Sequence, residues 1–276
     1  MKGDLKIAIL DMYDNYPNEG MRCIRQLVGG FIQRHRVPGT FEVFNVRAAG
    51  EVPGLEYDVY ISSGGPGSPL PSDSAWEKRF FDLVDAIFAH NRYHERKKYL
   101  FLICHSFQLV ALHLGLAIVS KRKSTSFGVM PVHRTQHGFR ESFFRGLPEP
   151  FYVVDSRDYQ VVAPNYKRIK ALGARVLALE KIRPHIPLER AIMAIRFSRE
   201  VFGTQFHPEA DSEGMLHYFL TAEKKQIVIN NHGEEKYYEM IERLDDPDKI
   251  SLTVTVILPN FLENAAFNLL EPIPVI

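Results

Sequence analysis

The chain has 276 residues, 45% of them hydrophobic and 24% charged, with a formal net charge of +1. A chain of this length can bury roughly three quarters of its unfolded surface without staples, and its charge balance gives no basis for a nucleic-acid or membrane partner. Two cysteines, Cys23 and Cys104, argue against a disulfide scaffold and fit a reducing compartment.

The opening MKGDLKIAIL has only a short apolar run before Asp11, where a secretory core needs roughly 7–15 apolar residues. A first strand over Leu5–Leu10 is therefore expected, with no signal peptide. No uninterrupted apolar stretch approaches the roughly 18 residues of a spanning helix, and a cytoplasmic setting is expected. Phe41–Arg47 reads as a second strand, after a helical pattern from Gly20 to His35 that holds Cys23 as a buried, inert thiol. Between first strand and helix lies LDMYDNYPNEGMR, where Tyr13, Asn15 and Glu19 either contact a ligand or cap the helix in a polar loop.

Asp58–Ser63 is a third strand that stops in GGPGSP. Ala75–His94 carries Trp76, Phe80, Phe81, Leu83, Val84, Ile87 and Phe88 at helical spacing. Tyr99–Ile103 is a short continuous apolar run, the pattern of a strand buried on both faces, and Leu109–Leu116 continues as a helix. This alternation predicts a doubly wound, mostly parallel α/β sheet of flavodoxin-like type. From Val129 shorter β-like runs follow: Val129–Arg134, Phe151–Asp155, Arg175–Glu180, Ala191–Phe197 and Val201–Phe206. After Glu209 the chain reads as helical to Asn268 and ends in EPIPVI. The expected organisation is one α/β domain over 1–222 and a helical extension over 223–276. The extension's LTVTVILPNFLENAAFNLL is apolar enough to require burial, against the domain, as a lid, or in a homodimer.

In open parallel sheets ligands sit beyond the carboxyl ends of the strands, and three pieces of sequence converge there. SSGGPGSP, Ser62–Pro69, follows a strand, and its glycines free backbone amides to face a developing negative charge. Cys104 sits between an apolar strand and a helix, whose amino end favours a thiolate over a thiol. GTQFHPEAD, Gly203–Asp211, sets His207 and Glu209 after another strand: a base to take and return a proton, and a carboxylate to orient it.

With these motifs the chain resembles the class I, triad-type glutamine amidotransferase domains over about residues 5–210. FFRGLPEPF, Phe143–Phe151, is similar to that family's "LFKGLP" turn, and DYQVVAP, Asp158–Pro164, to the segment after its "SHGD". The resemblance implies Cys104 as nucleophile, His207 as general base and acid, and Glu209 as orienting carboxylate. It further implies an oxyanion hole from the amides of Gly65 and His105, and a substrate site formed by Gly64, Gln108, Ser156 and Arg157. The substrate would be L-glutamine, no cofactor or metal is implied, and the ammonia would pass to a separate synthetase subunit.

Two departures stand out. The family's nucleophile turn reads Gly-x-Cys-x-Gly, and here the flanking positions are Leu102 and Ser106. Its "SHGD" is DSRD here, with Ser156 for the histidine and Arg157 for the glycine. Other thiol hydrolysis or acyl transfer on this scaffold, and a catalytically degenerate binding protein, therefore stay open beside glutamine hydrolysis. His133 and His137 have a metal-compatible spacing but no third ligand, and the cationic Lys121–Lys123 reads as solvated surface.

Overall fold

The apolar runs of the first half form four strands, three of them paired on both sides and one at the sheet edge. They are β1 (Leu5–Asp11), β2 (Gly39–Asn45), β3 (Val59–Ser62) and β4 (Tyr99–Ile103), with α1 (Gly20–Arg34), α2 (Val46–Ala49), α3 (Ala75–Tyr93) and α4 (His105–His113) between and after them. The second half adds β5 (Ile118–Arg134), α5 (Gln136–Phe139), a 3-10 turn (Ser142–Phe144), β6 (Phe151–Val162), α6 (Tyr166–Leu172), β7 (Arg175–Glu180), β8 (Ile192–Arg196) and β9 (Val201–Thr204). Helices α7 (Ser212–Leu220), α8 (Glu234–Glu242) and α9 (Leu252–Leu269) follow. This computed structural model describes residues 4–185, 187–221, 225–226, 228–230, 233–242, 244 and 246–270. The expected boundary at 222–223 and the EPIPVI tail lie outside the described residues.

All nine strands join one sheet in the order β2-β1-β3-β4-β9-β8-β7-β5-β6. The first five run parallel, and the other four extend the sheet antiparallel. The α/β architecture is as expected, with the parallel strands grouped at one side. Because β1, β3, β4 and β9 are parallel, their carboxyl ends open on one edge, where the three motifs meet.

One apolar cluster fills the face covered by α1 and α9, and includes Ile7, Ile24, Phe101, Phe202, Phe261 and Leu262. A second fills the face covered by α3 and α4, with Leu100, Leu102, Phe107 and Phe197. A third lies under α8, where Tyr237 and Met240 pack on Phe127, Val129 and Val154 of the β5–β6 hairpin. The apolar C-terminal segment is thus core of this chain. Lys249–Leu269 is long and apolar enough to cross a membrane by length and composition, with a mean hydropathy of 1.3. Its stripe of Ile257, Leu258, Phe261 and Leu262 is nonetheless fully buried, and the Phe261 ring meets Tyr99, Phe101 and Phe143 edge-on. Burial of each such side chain stabilises by roughly 1.5–3 kcal/mol.

Three expectations change in detail. Helix α4 starts at His105, directly after Cys104, and not at Leu109. Strand β5 starts at Ile118, eleven residues before Val129, because pairing with β6 from Ile118↔Val162 onward supplies the hydrogen bonds that its polar KRKSTS sequence does not advertise. Within that run Lys121 and Lys123 are exposed, but Arg122 is not solvated surface: its side chain is 9% exposed and pairs with Glu180 at 3.1 Å.

Candidate active site

Cys104 ends β4 and opens α4 with φ 48° and ψ −99°, a left-handed backbone that side chains rarely adopt. Such a conformation costs on the order of 1–3 kcal/mol and persists only where its surroundings fix it. Here the Cys104 amide donates to the Thr204 carbonyl at 2.8 Å and its carbonyl accepts from the Gln108 amide at 3.0 Å. The Ser106 hydroxyl lies within reach of the carbonyls of Ser62 (3.0 Å), Ser63 (2.5 Å) and Ile103 (3.0 Å), tying the elbow to the glycine-rich loop. Leu102 pairs in register with Gly203 of β9. A Cβ on Gly203 would approach Leu102 Cβ to 3.1 Å and the rings of Phe107 and Phe197 to 3.0 Å. The missing side chain on β9 is therefore what makes room for leucine at 102.

His207 follows β9 and is held by its amide, which donates to the Val154 carbonyl of β6 at 2.9 Å. Its Nδ1 is 2.9 Å from Glu209 Oε1, and the Cys104 side chain is near enough to act on the imidazole electrostatically. Glu209 is fully buried, and its Oε2 has no hydrogen-bond partner among the described residues. Burial works against a charged imidazole, but the Glu209 carboxylate and Cys104 outweigh it and hold the His207 pKa well above 6.5. The three side chains form one interacting group around His207, with the hydrogen bond on the carboxylate side.

The glycine-rich loop reaches this line at Gly64. A Cβ there would lie 2.7 Å from His207 Cε1, 3.4 Å from the Tyr13 hydroxyl and 3.5 Å from Cys104 Cβ. On Gly65 a Cβ would collide with the Met12 carbonyl oxygen. Arg47 braces the same loop, donating from Nη1 to the carbonyls of Met12 (3.1 Å) and Pro66 (2.6 Å) while its guanidinium lies over Trp76. His105 is buried beside it, and burial, with the Arg47 charge second, pushes its pKa down to about 3. Its imidazole is neutral at pH 7 while its backbone begins α4.

With this geometry in place the comparisons are decisive about family. The sequence matches the family described as glutamine amidotransferase class-I over residues 8–227. The chain belongs to that family. Among solved structures, a glutamine amidotransferase from Thermotoga maritima is similar at 16% identity, covering 96% of this chain and 99% of that one, with a TM-score of 0.66. One from Methylobacillus flagellatus is similar at 13% identity over 100% and 98% of the two chains, with a TM-score of 0.65. The Trypanosoma brucei CTPS glutaminase domain with bound acivicin is similar at 14% identity over 76% and 88%, with a TM-score of 0.55. At these identities the likenesses speak for the fold. No curated protein matches the chain.

Within this class-I framework the other expected residues divide. The Ser156 carbonyl accepts from the Cys104 thiol at 3.7 Å, so this residue reaches the cysteine through its main chain. Gln108 is buried, and its Nε2 donates to the Tyr159 carbonyl (3.2 Å) and to Gln205 Oε1 (3.0 Å). Gln205 Nε2 in turn donates to Cys104 Sγ at 3.7 Å. Gln205 lies inside the HPE motif's own stretch, but sequence reasoning missed it because its role depends on a partner 97 positions away. Arg157 is not turned to the cysteine: its guanidinium pairs with Asp155 (2.9 Å) and Glu180 (3.3 Å), and its Nη1 donates to the Tyr159 carbonyl at 3.4 Å. Its Nη1 shares the Tyr159 carbonyl with Gln108, which bonds Gln205, the side chain that donates to the thiol.

Of the loop after β1, Tyr13 comes to the site, whereas Asn15 bonds Asn45 at 2.8 Å and Glu19 pairs with Arg22 at 2.5 Å. Burial first, then the charges of Glu209 and Cys104, raise the Tyr13 phenol well above its ordinary pKa of 10.0, so it acts as a neutral hydroxyl. The Cys23 thiol is pushed up to about 12 by burial, in keeping with an inert core residue. His133 pairs with Glu149 at 3.1 Å, and no group of three or more potential metal ligands occurs among the described residues.

Proposed function

We propose that the chain is a glutamine-hydrolysing amidotransferase that works through a Cys104–His207–Glu209 triad. The Cys104 thiolate attacks the γ-carboxamide carbon, and the amides of Gly65 and His105 face the resulting oxyanion. Protonated His207 gives its proton to the leaving nitrogen, ammonia departs, and a γ-glutamyl thioester remains. His207 then takes a proton from water, the hydroxyl adds to the thioester, and glutamate leaves as the thiol is restored. Glu209 keeps the Nδ1 proton in place, and with it the tautomer, throughout. The ammonia is passed to an acceptor on a separate synthetase subunit.

One observation carries this reading: a cysteine strained to φ 48° at a strand–helix elbow, beside a histidine that feels its charge and is itself held at 2.9 Å by a fully buried carboxylate. A structural cysteine needs neither the strain nor the partner. The test is ammonia release from L-glutamine by the purified protein beside Cys104→Ala. Release lost in the variant is the expected result. No release, together with slow alkylation of Cys104 by iodoacetamide, would assign the chain to the degenerate binding homologues.

A further inference from the structure

At the amino ends of β4 and β9, the edge of the sheet away from Cys104, a cavity of about 460 Å³ opens between α5, the start of β7, the β8–β9 turn and α9. Cavities of about 300–1,000 Å³ are the size that small-molecule ligands occupy. Its lining includes Arg140, Arg175, Arg196 and Arg199 against the single carboxylate of Glu141, a formal charge of +3.

The four guanidiniums are not equivalent. Arg196 is fixed in advance: Nε donates to Glu141 Oε2 at 2.7 Å, Nη2 donates to Glu141 Oε1, Nη1 donates to the Arg199 carbonyl at 2.9 Å, and the plane lies 4.3 Å over the Phe143 ring. Glu141 is itself buried and accepts from the Phe143 amide at 3.1 Å, so the pair is anchored to the 3-10 turn. After these bonds Arg196 keeps one free hydrogen on each terminal nitrogen. Arg140, Arg175 and Arg199 are exposed and have no side-chain hydrogen bond or ion pair among the described residues. Arg140, Arg175 and Arg199 line the same hollow as Arg196, and an anion bound there would offset their mutual repulsion. A rigid fork with paired hydrogens suits tetrahedral phosphate oxygens, and the hollow is larger than one phosphate needs.

We propose that this cavity is a binding site for a small phosphate-bearing ligand carrying two or more negative charges. Arg196 supplies the fixed fork, and Arg175 and Arg199 close on the ligand from the sides. The assignment stands apart from the amide chemistry, since no lining residue belongs to the triad.

The test is isothermal titration of the full chain with pyrophosphate, inorganic phosphate and citrate in turn. One-to-one binding is expected, with pyrophosphate tightest and affinity falling as salt is raised. The double variant Arg175→Ala/Arg199→Ala should weaken pyrophosphate at least about tenfold, since each removes a charge-assisted hydrogen bond. Arg92→Ala, on the exposed surface of α3, should change nothing. Undetectable binding at millimolar pyrophosphate would overturn the proposal, as would affinity that the double variant leaves intact. Citrate binding as tightly as pyrophosphate would overturn the phosphate assignment.

Discussion

Strand β9 has two unlike ends. At its carboxyl end the charges are matched: His207 against the fully buried Glu209 and against Cys104, and the half-buried Arg22 against Asp211 at 2.8 Å. Space is so short there that a Cβ on Gly20 would strike the Tyr13 hydroxyl. At its amino end four arginines face one carboxylate around an open cavity, and three of them are exposed and unpartnered among the described residues. Desolvation explains the difference, because a buried ion costs several kcal/mol unless it is paired, whereas a solvated one does not. A closed end can hold reacting groups in fixed protonation states, and an open end can leave charge waiting for a ligand.

The sharpest way to break this contrast is to unmatch the closed end. Glu209→Gln removes the charge that holds His207 protonated while burial still favours the neutral ring, so the His207 pKa must fall. Glutamine turnover should drop by about 10²–10⁴-fold. The alkaline limb of its pH profile, well above 6.5 in the parent, should move to lower pH; an unmoved limb would rule out this electrostatic role.

Next in size is an acid effect at His105. Its folded pKa of about 3 lies below the ordinary 6.5, so the unfolded chain takes the proton first as pH falls. Stability from this residue is complete above about pH 6.5 and is lost towards pH 3, roughly 3 kcal/mol of it by pH 4. Urea midpoints at the two ends of that window should converge in His105→Gln.

Gly64→Ala should cost about 10²-fold in kcat/KM, the usual penalty for a misplacement of about 1 Å, with an unchanged circular dichroism spectrum. Its Cβ would stand 2.7 Å from His207 Cε1. Gly203→Ala should destabilise by about 1–3 kcal/mol through overpacking on Leu102, and the double variant with Leu102→Gly should recover part of that loss in denaturant melts. The smallest expected effect is at the open end, where Arg175→Ala/Arg199→Ala should leave kcat/KM for glutamine within about twofold of the parent, since surface charges this far from the thiol are screened. A larger loss would mean that the two ends of β9 are coupled.

The parallel strands and the placing of Cys104, His207 and Glu209 at strand ends could be read from the sequence for one reason: each is a local pattern, an apolar run ended abruptly by Gly-Pro, Cys or His-Pro-Glu. What escaped the sequence is held together across distance. The amino half of β5 is polar and exists through its ladder to β6 and the Arg122–Glu180 pair. Gln205 acquires its role from Gln108, and Arg157 is turned aside by Glu180 on another strand. Leu102 looked like a disrupted elbow when read alone and becomes ordinary packing once Gly203 is seen beside it. Short α2 was also missed, because Val46–Ala49 is a single turn capped by Asn45 and has no periodicity to detect.

The placement of α9 has a consequence for how the protein is made. Cys104, His207 and Glu209 have all been translated by residue 209, yet the helix that packs in one cluster with Phe101 and Phe202, on the two strands that carry them, begins only at Leu252. A nascent chain halted between those points would hold all three side chains and still leave part of an aromatic sheet face uncovered. The sheet face beneath Cys104 is therefore closed only after α9 has been made.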